Sequence, residues 1–170
     1  MARYDIPKAA PEPLRAVQLF LNSIDLTHDV DWLPDWLRER GLSRARTRAV
    51  ALREALRSLA LANNGFPLDP AALDVVNRAS GRVSVRLGPD GSPSVASDGD
   101  AIDEIVAIAL GAMLDGTWER LKACRNCRWS FYDYSPPRSA TWCSMQICGN
   151  RAKTRAYRSR RQKQEPRQRL

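Results

Sequence analysis

Apolar positions over the first two thirds of the chain recur three and four apart, and polar, Gly- and Pro-containing gaps separate the runs. Leu14, Val17, Leu21 and Ile24, with Phe20 beside them, predict a helix over 13–24 introduced by Pro11 and Pro13. Residues 27–31 read as a loop. A short helix over about 31–40 follows, capped by Asp31 or its neighbours and stopped at Gly41. Ser43 is placed to cap a long helix to about Ala62, with Ala49, Leu52, Leu56 and Leu59 as its apolar face and Arg44, Arg48 and Arg57 pointing outward. Asp69-Pro70 is an N-cap followed by proline at the first helical position, and that helix runs to Gly81.

The period then changes. Arg82 to Leu87 alternates apolar and polar residues, Gly88-Pro89-Asp90-Gly91 is a turn, and Ser92 to Ala96 returns as the partner strand. This predicts a hairpin over about 82–96, packed on helices. Asp98-Gly99-Asp100 leads into Ala101–Leu114, a helix apolar over a wide arc through Ile102, Ile105, Val106 and Ala109, and therefore deeply buried.

From Thr117 the character changes. The chain of 170 residues has a net charge of +8, unevenly spread. Residues 1–116 hold 13 Lys+Arg against 16 Asp+Glu, and residues 117–170 hold 14 against three. The second segment is thus strongly cationic, and it contains all four cysteines and three of the five tryptophans. Such asymmetry points to a near-neutral domain joined to a basic binding module. A hydrophobic fraction of 44% suits a globular core. No apolar run approaches the roughly 20 residues that span a bilayer. The start, Met-Ala-Arg-Tyr-Asp-Ile-Pro, has no apolar stretch like a signal peptide. A reducing cytoplasmic setting, with no membrane, is therefore expected, and there cysteines serve as metal ligands more often than as disulfides.

Cys124, Cys127, Cys143 and Cys148 form C-x2-C-x15-C-x4-C, close to the spacing of four-thiolate zinc. A Cys-x-x-Cys turn directs two thiolates to one point, and the second pair supplies the other corners of a tetrahedron. Ser144 caps a helix from near Met145 that carries Cys148. The intervening residues fit two short strands, Arg128 to Tyr134 and a return near Thr141. A redox Cys-x-x-Cys is disfavoured because no βαβ pattern surrounds Cys124, and an iron–sulfur cluster uses other spacings. One Zn2+ with four protein thiolates leaves no open coordination position, so its role is structural.

Two runs around these cysteines resemble the CGNR-type zinc finger over residues 117–161. The first is Trp118 to Lys122 followed by Cys124 to Asp133. The second is Trp142 to Lys153, containing Cys148-Gly149-Asn150-Arg151. The region before them is similar to the ABATE-type domain that precedes this finger, through Phe20-Leu21-Asn22-Ser23 and the later hairpin and helix. The resemblance implies a transcription regulator of bacterial type with the finger as its DNA-binding element. Relatives carry an Asn and several Arg residues just before the Trp-Cys; here that stretch is Pro136 to Thr141, and the loop is less basic.

After Cys148 come Arg151, Lys153, Arg155, Arg158, Arg160 and Arg161. Arg151, Arg155 and Arg158 fall on one helical stripe. Guanidinium forks suit phosphates and guanine edges. The expected fold class is α+β: a mostly helical N-terminal domain with one hairpin, then a treble-clef-like zinc finger of knuckle, hairpin and basic helix. The expected organisation is a flexible lead-in (1–10), an ABATE-like domain (11–116), the finger (117–161) and a disordered basic tail (162–170). The expected function is zinc-dependent DNA binding in transcription regulation, nucleoid-associated in the cytoplasm, with the N-terminal domain sensing a small molecule or protein partner. RNA binding and a protein-interaction adaptor are the alternatives. Trp129 and Phe131 on one strand face, and Tyr132 and Tyr134 on the other, read mainly as core. His28 among Asp25, Asp29 and Asp31 reads as a loop histidine, and Trp32 and Trp36 as a packing stripe with a cleft beside the first helix. No nucleophile–base pair or Gly-rich phosphate loop is present, so no enzymatic activity is expected.

Overall fold

The stripe of Leu14, Val17, Phe20 and Leu21 is fully buried and forms one face of α1 (Leu14–Leu21). The helix stops short of the expected Ile24. Asp25 accepts from Thr27 N at 2.9 Å and His28 N at 3.3 Å, and His28 Nδ1 lies 2.8 Å from its carboxylate. A side chain that satisfies backbone donors in this way builds a turn at the expense of a helix. Ile24–Asp25 (β1) accordingly pairs antiparallel with Val30–Asp31 (β2), Ile24 opposite Asp31, in part of the expected loop.

In the computed structural model, which describes residues 8–164 (the last two by backbone alone), Asp31 Oδ1 accepts from Leu33 N at 3.1 Å and starts α2 (Leu33–Glu39). Ser43 does not cap the long helix. Ser43–Ala45 form a 3-10 turn with no side-chain cap, and α3 runs Arg46–Ala62. Asp69 does cap α4 (Pro70–Ala79), accepting from Ala71 N at 3.0 Å. β3 (Val83–Leu87) and β4 (Pro93–Ser97) pair with Val85 opposite Val95 and lie over α5 (Ala101–Leu114). α5 opens on a reciprocal cap: Asp100 accepts from Ile102 N and Asp103 N, and Asp103 accepts from Asp100 N. Gly116, at φ 79°, takes the left-handed position just past α5 that favours a residue without Cβ.

The core lies between α1, α3 and α5, and it does not stop at residue 116. Trp118, Leu121, Ala123 and Tyr132 belong to the same buried cluster as Phe20, Leu56 and Val106. The whole is α+β, a helical part with small hairpins followed by the cysteine cluster, a hairpin and a helix. Among the described residues no helix is long and apolar enough to cross a membrane. The lead-in and tail expectations fall largely on residues 1–7 and 165–170, outside those described. Lys8 O accepts from Tyr132 N at 2.9 Å, and Ala10 is buried, its N–H on Gln18 Oε1. The last helix, α6 (Asn150–Gln164), continues through the first residues of the expected tail.

Arg57 corrects the outward placement: it is 4% exposed. Its Nη2 donates to Leu21 O at 2.6 Å, its Nη1 to Arg128 O at 3.1 Å and its Nε to Glu54. Burial lowers its pKa, with Glu54 acting against that. The guanidinium sits inside because three acceptors are waiting there, and one of them belongs to the segment after residue 116. Side-chain amides repeat the pattern. Asn22 brackets Ser130, accepting from its N–H at 2.7 Å and donating to its C=O at 2.9 Å, and Gln18 Nε2 also donates to that carbonyl. Asn63 donates to Trp118 O and Leu121 O, and Asn64 to Ala123 O and Thr141 O. Backbone groups that a lone hairpin would leave to water are thus met by side chains of α1, α3 and the turn after α3.

Asn22→Ala strands the Ser130 N–H in a dry site. It is expected to cost about 1–3 kcal/mol of stability in urea unfolding and to speed amide exchange at Ser130 above that at Ile105.

Candidate metal centre and the helix it roots

Leu121–Ala123 (β5) pairs antiparallel with Ser130–Tyr132 (β6), Lys122 opposite Phe131. This corrects the expected hairpin, in which residues 128–134 would return near Thr141. The strand partner comes before the first cysteine, so the hairpin encloses the knuckle. The reason lies in Asp133, whose carboxylate accepts from Ser135 N at 3.0 Å, Ser135 Oγ at 2.6 Å and Ala140 N at 2.9 Å. Those bonds curl 133–140 into a loop and remove its donors from any ladder.

Inside the knuckle, Cys124 N donates to Trp129 O and Arg128 N to Cys124 O, both at 2.9 Å. Arg128 adopts φ 65°, a left-handed conformation uncommon for a bulky residue. It is held by its surroundings: its guanidinium stacks 4.8 Å over Phe66, and its carbonyl receives Arg57. Arg125 reaches back to Asn64 O at 2.8 Å, passing beside Gly65, where an added Cβ would meet Arg125 Nη2 at 2.6 Å.

The four sulfurs lie within 4.8 Å of one another. Cys127 to Cys143 is 3.5 Å, Cys143 to Cys148 is 3.7 Å and Cys148 to Cys127 is 3.6 Å. A tetrahedron with metal–sulfur bonds of about 2.3 Å has edges of about 3.8 Å. The donor set and spacing therefore fit one zinc-type ion, and Asn126 Nδ2 stands 3.5 Å from Cys148 Sγ as an outer donor. Crowded sulfurs compete for protons. Bonds from Cys127 and Cys143 lower the pKa of Cys124, while Cys124 pushes Cys127 up to about 12 and raises Cys143 as well. Thiolates this close repel one another, and a cation between them removes that repulsion.

Ser144 acts as expected: its Oγ accepts from Ile147 N at 3.3 Å and its carbonyl from Cys148 N at 2.9 Å. The chain first makes a π turn, Met145–Gly149, and then α6. The widened turn places Cys148 in the cluster beside Cys124 and Phe131, with Trp142 and Ile147 packed on it. Gly149 is buried against Trp142 and Met145. Among the described residues α6 packs mainly on that turn, and Arg151, Lys153, Arg155, Arg158, Arg160 and Arg161 are all exposed. Arg151, Arg155 and Arg158 share one shallow groove with Gln146, Asn150 and Thr154. Lys153, Arg160 and Arg161 stand outside it. Arg155 also bonds Asn126 of the knuckle.

Of the aromatics, Trp129, Phe131 and Tyr132 are buried, and Tyr134 OH donates to Ala9 O. Sequence reasoning missed the Lys122–Asp133 pair. Both residues are almost fully buried, with Nζ 2.8 Å from Oδ2. Lys122 also donates to the carbonyls of Arg138 and Ala140. Charge alone could not single them out, because their partners lie across the loop.

Residues 14–117 match the ABATE family, described as "Putative stress-induced transcription regulator", and residues 120–161 match the CGNR zinc finger. The first match covers more than half of the chain, and the protein belongs to that family. No curated protein matches the chain.

Burial pushes the Asp133 carboxyl up, but the bonds from Lys122, Ser135 and Ala140 outweigh it and hold it at about 2, below its ordinary 3.8. A depressed carboxylate stabilises the fold above its unfolded value and loses that contribution as pH falls toward the folded one, here between about 4 and 2. Lys122→Met leaves the carboxylate buried without its cation. It should cost about 3–5 kcal/mol in urea unfolding at neutral pH and move the acid loss of stability to higher pH.

Proposed function

We propose that the four cysteines hold one structural Zn2+ and that α6 docks on duplex DNA, making the chain a sequence-reading transcription regulator. Cys124, Cys127, Cys143 and Cys148 are the ligands. The metal supplies Lewis acidity that keeps the thiolates deprotonated and fixes the base of the helix. With all four positions taken by protein, the centre is a scaffold.

The observation that carries the reading is α6 itself. A helix that is polar all round and unpacked has little reason to stand in water alone. Its arginines at i, i+4 and i+7 repel one another. A polyanion removes that repulsion, and the groove that gathers Arg151, Arg155 and Arg158 with Asn150 and Gln146 offers the side-chain types that read guanine and adenine edges. Burial of Trp129, Phe131 and Tyr132 takes away the stacking platform that single-stranded RNA would use, which favours duplex DNA. We further assign the helical part a sensing role. α3 runs from the far side of that part to the residues that hold the finger, so a ligand that shifts α3 shifts the base of α6.

Cys148→Ser is expected to lose zinc by elemental analysis and to expose the finger to proteolysis. Unchanged metal content refutes the ligand set. For the zinc-loaded protein, six basic contacts predict that log affinity for duplex DNA falls against log salt with a slope of about −5. Arg151→Ala with Arg158→Ala should flatten that slope by about 2 without loss of zinc. Absence of DNA binding at low salt overturns the reading.

A further inference from the structure

The helical part contains a cleft of about 330 Å³ between α3, α4 and the start of α5. Its floor is apolar, made by Leu52, Val75 and Ile102, and its walls carry Arg48, Arg78 and Arg82. The volume falls near the lower end of ligand pockets, about 300–1,000 Å³.

The charges there do not cancel. Asp103 lines the cleft, but its carboxylate is already engaged. It accepts from Asp100 N at 3.2 Å to cap α5 and from Arg48 Nη1 at 3.3 Å, and Arg82 Nη1 stands 3.5 Å away. Asp100 is held by Arg48, with both oxygens 2.5 Å from Nη2. Arg48 Nε is buried and has no acceptor, and Arg78 forms no ion pair, among the described residues. Three guanidiniums therefore meet two carboxylates, and donor capacity is left over beside an apolar floor.

We infer that this cleft binds a small organic monocarboxylate with an apolar body. Arg78 and Arg82 take the carboxylate, since planar forks match its two oxygens, and the body rests on Leu52, Val75 and Ile102. Inorganic phosphate fits less well. It gains nothing from the floor, and its second charge is repelled by Asp100 and Asp103. The inference rests on the sensing role assigned above and names its ligand class. Arg48 sits near the start of α3 and Arg57 near its end, nine residues or roughly 14 Å further along. Arg57 there holds Arg128 of the knuckle.

Isothermal titration of the full zinc-loaded chain with 1-naphthoate, benzoate and octanoate tests it, with 1-naphthamide as the neutral match and inorganic phosphate as the plain anion. At least one carboxylate should bind, and the amide and phosphate about tenfold or more weaker. Arg78→Ala with Arg82→Ala should weaken the carboxylate by a similar factor, and Arg78→Ala alone, at an exposed residue, should weaken it in part and leave the melting temperature of the unliganded protein unchanged. Failure of all three carboxylates to bind, equal binding of the amide, or full affinity in the double variant overturns the assignment. The heat of binding is read without DNA, so failure of the DNA reading and failure of this one are separate results.

Discussion

A finger of the size matched here, residues 120–161, buries almost nothing of its own. Its private core is Cys124, Phe131 and Cys148. Surface-to-volume scaling makes such a unit unstable without staples. One staple is the sulfur cluster. The other is the set of side chains that the helical part extends to the finger's backbone: Asn22 on Ser130, Asn63 and Asn64 on the β5 segment, and Arg57 on Arg128. These bonds replace the strand neighbours that a two-stranded hairpin lacks. Everything beyond them, including the direction in which α6 leaves the molecule, depends on that grip.

The grip adds polar bonds to the apolar core that the two parts share. Two apolar faces could slide past one another. Amides that bracket peptide groups fix register, because a slip of one residue would break these bonds together. The buried Lys122–Asp133 pair does the same for the loop before Cys143. It ties β5 to residues 138–140 and so sets where the second pair of cysteines begins. A buried ion pair adds little stability over an apolar substitute, and its value here is positional.

What the sequence made legible is what local chemistry decides. The Cys spacing brought four sulfurs together, Asp69 and Ser144 cap their helices, and α5 has the expected bounds of Ala101–Leu114. What it hid depends on distant partners. Arg57 looks like an outer residue until Leu21 O and Arg128 O are placed beside it. β6 looks ready to pair forward with Thr141, until the Asx-type turn at Asp133 removes that segment and β5 is found behind the knuckle. Charge, the cysteines and the clustered aromatics together divide the chain at residue 116. Charge marks where the basic surface begins, whereas the core, through Trp118 and Leu121, crosses the same point without a break.

The continuity of that core changes what the charge asymmetry means. A basic module on a flexible tether would search DNA independently of its neighbour, and a ligand bound elsewhere could influence it only by blocking access. Here the cationic helix is rooted in a π turn, the turn in the sulfur cluster, and the cluster in a hairpin held by α1 and α3. Each link is a short-range contact between neighbouring segments, and that continuity is the structural ground for the sensing role proposed above. Coupling between distant sites is demonstrated by an element with two arrangements whose equilibrium both sites bias. For the sensing role proposed above, α3 is the candidate element: Arg48 near its start faces the arginine-rimmed cleft, and Arg57 towards its end holds the knuckle.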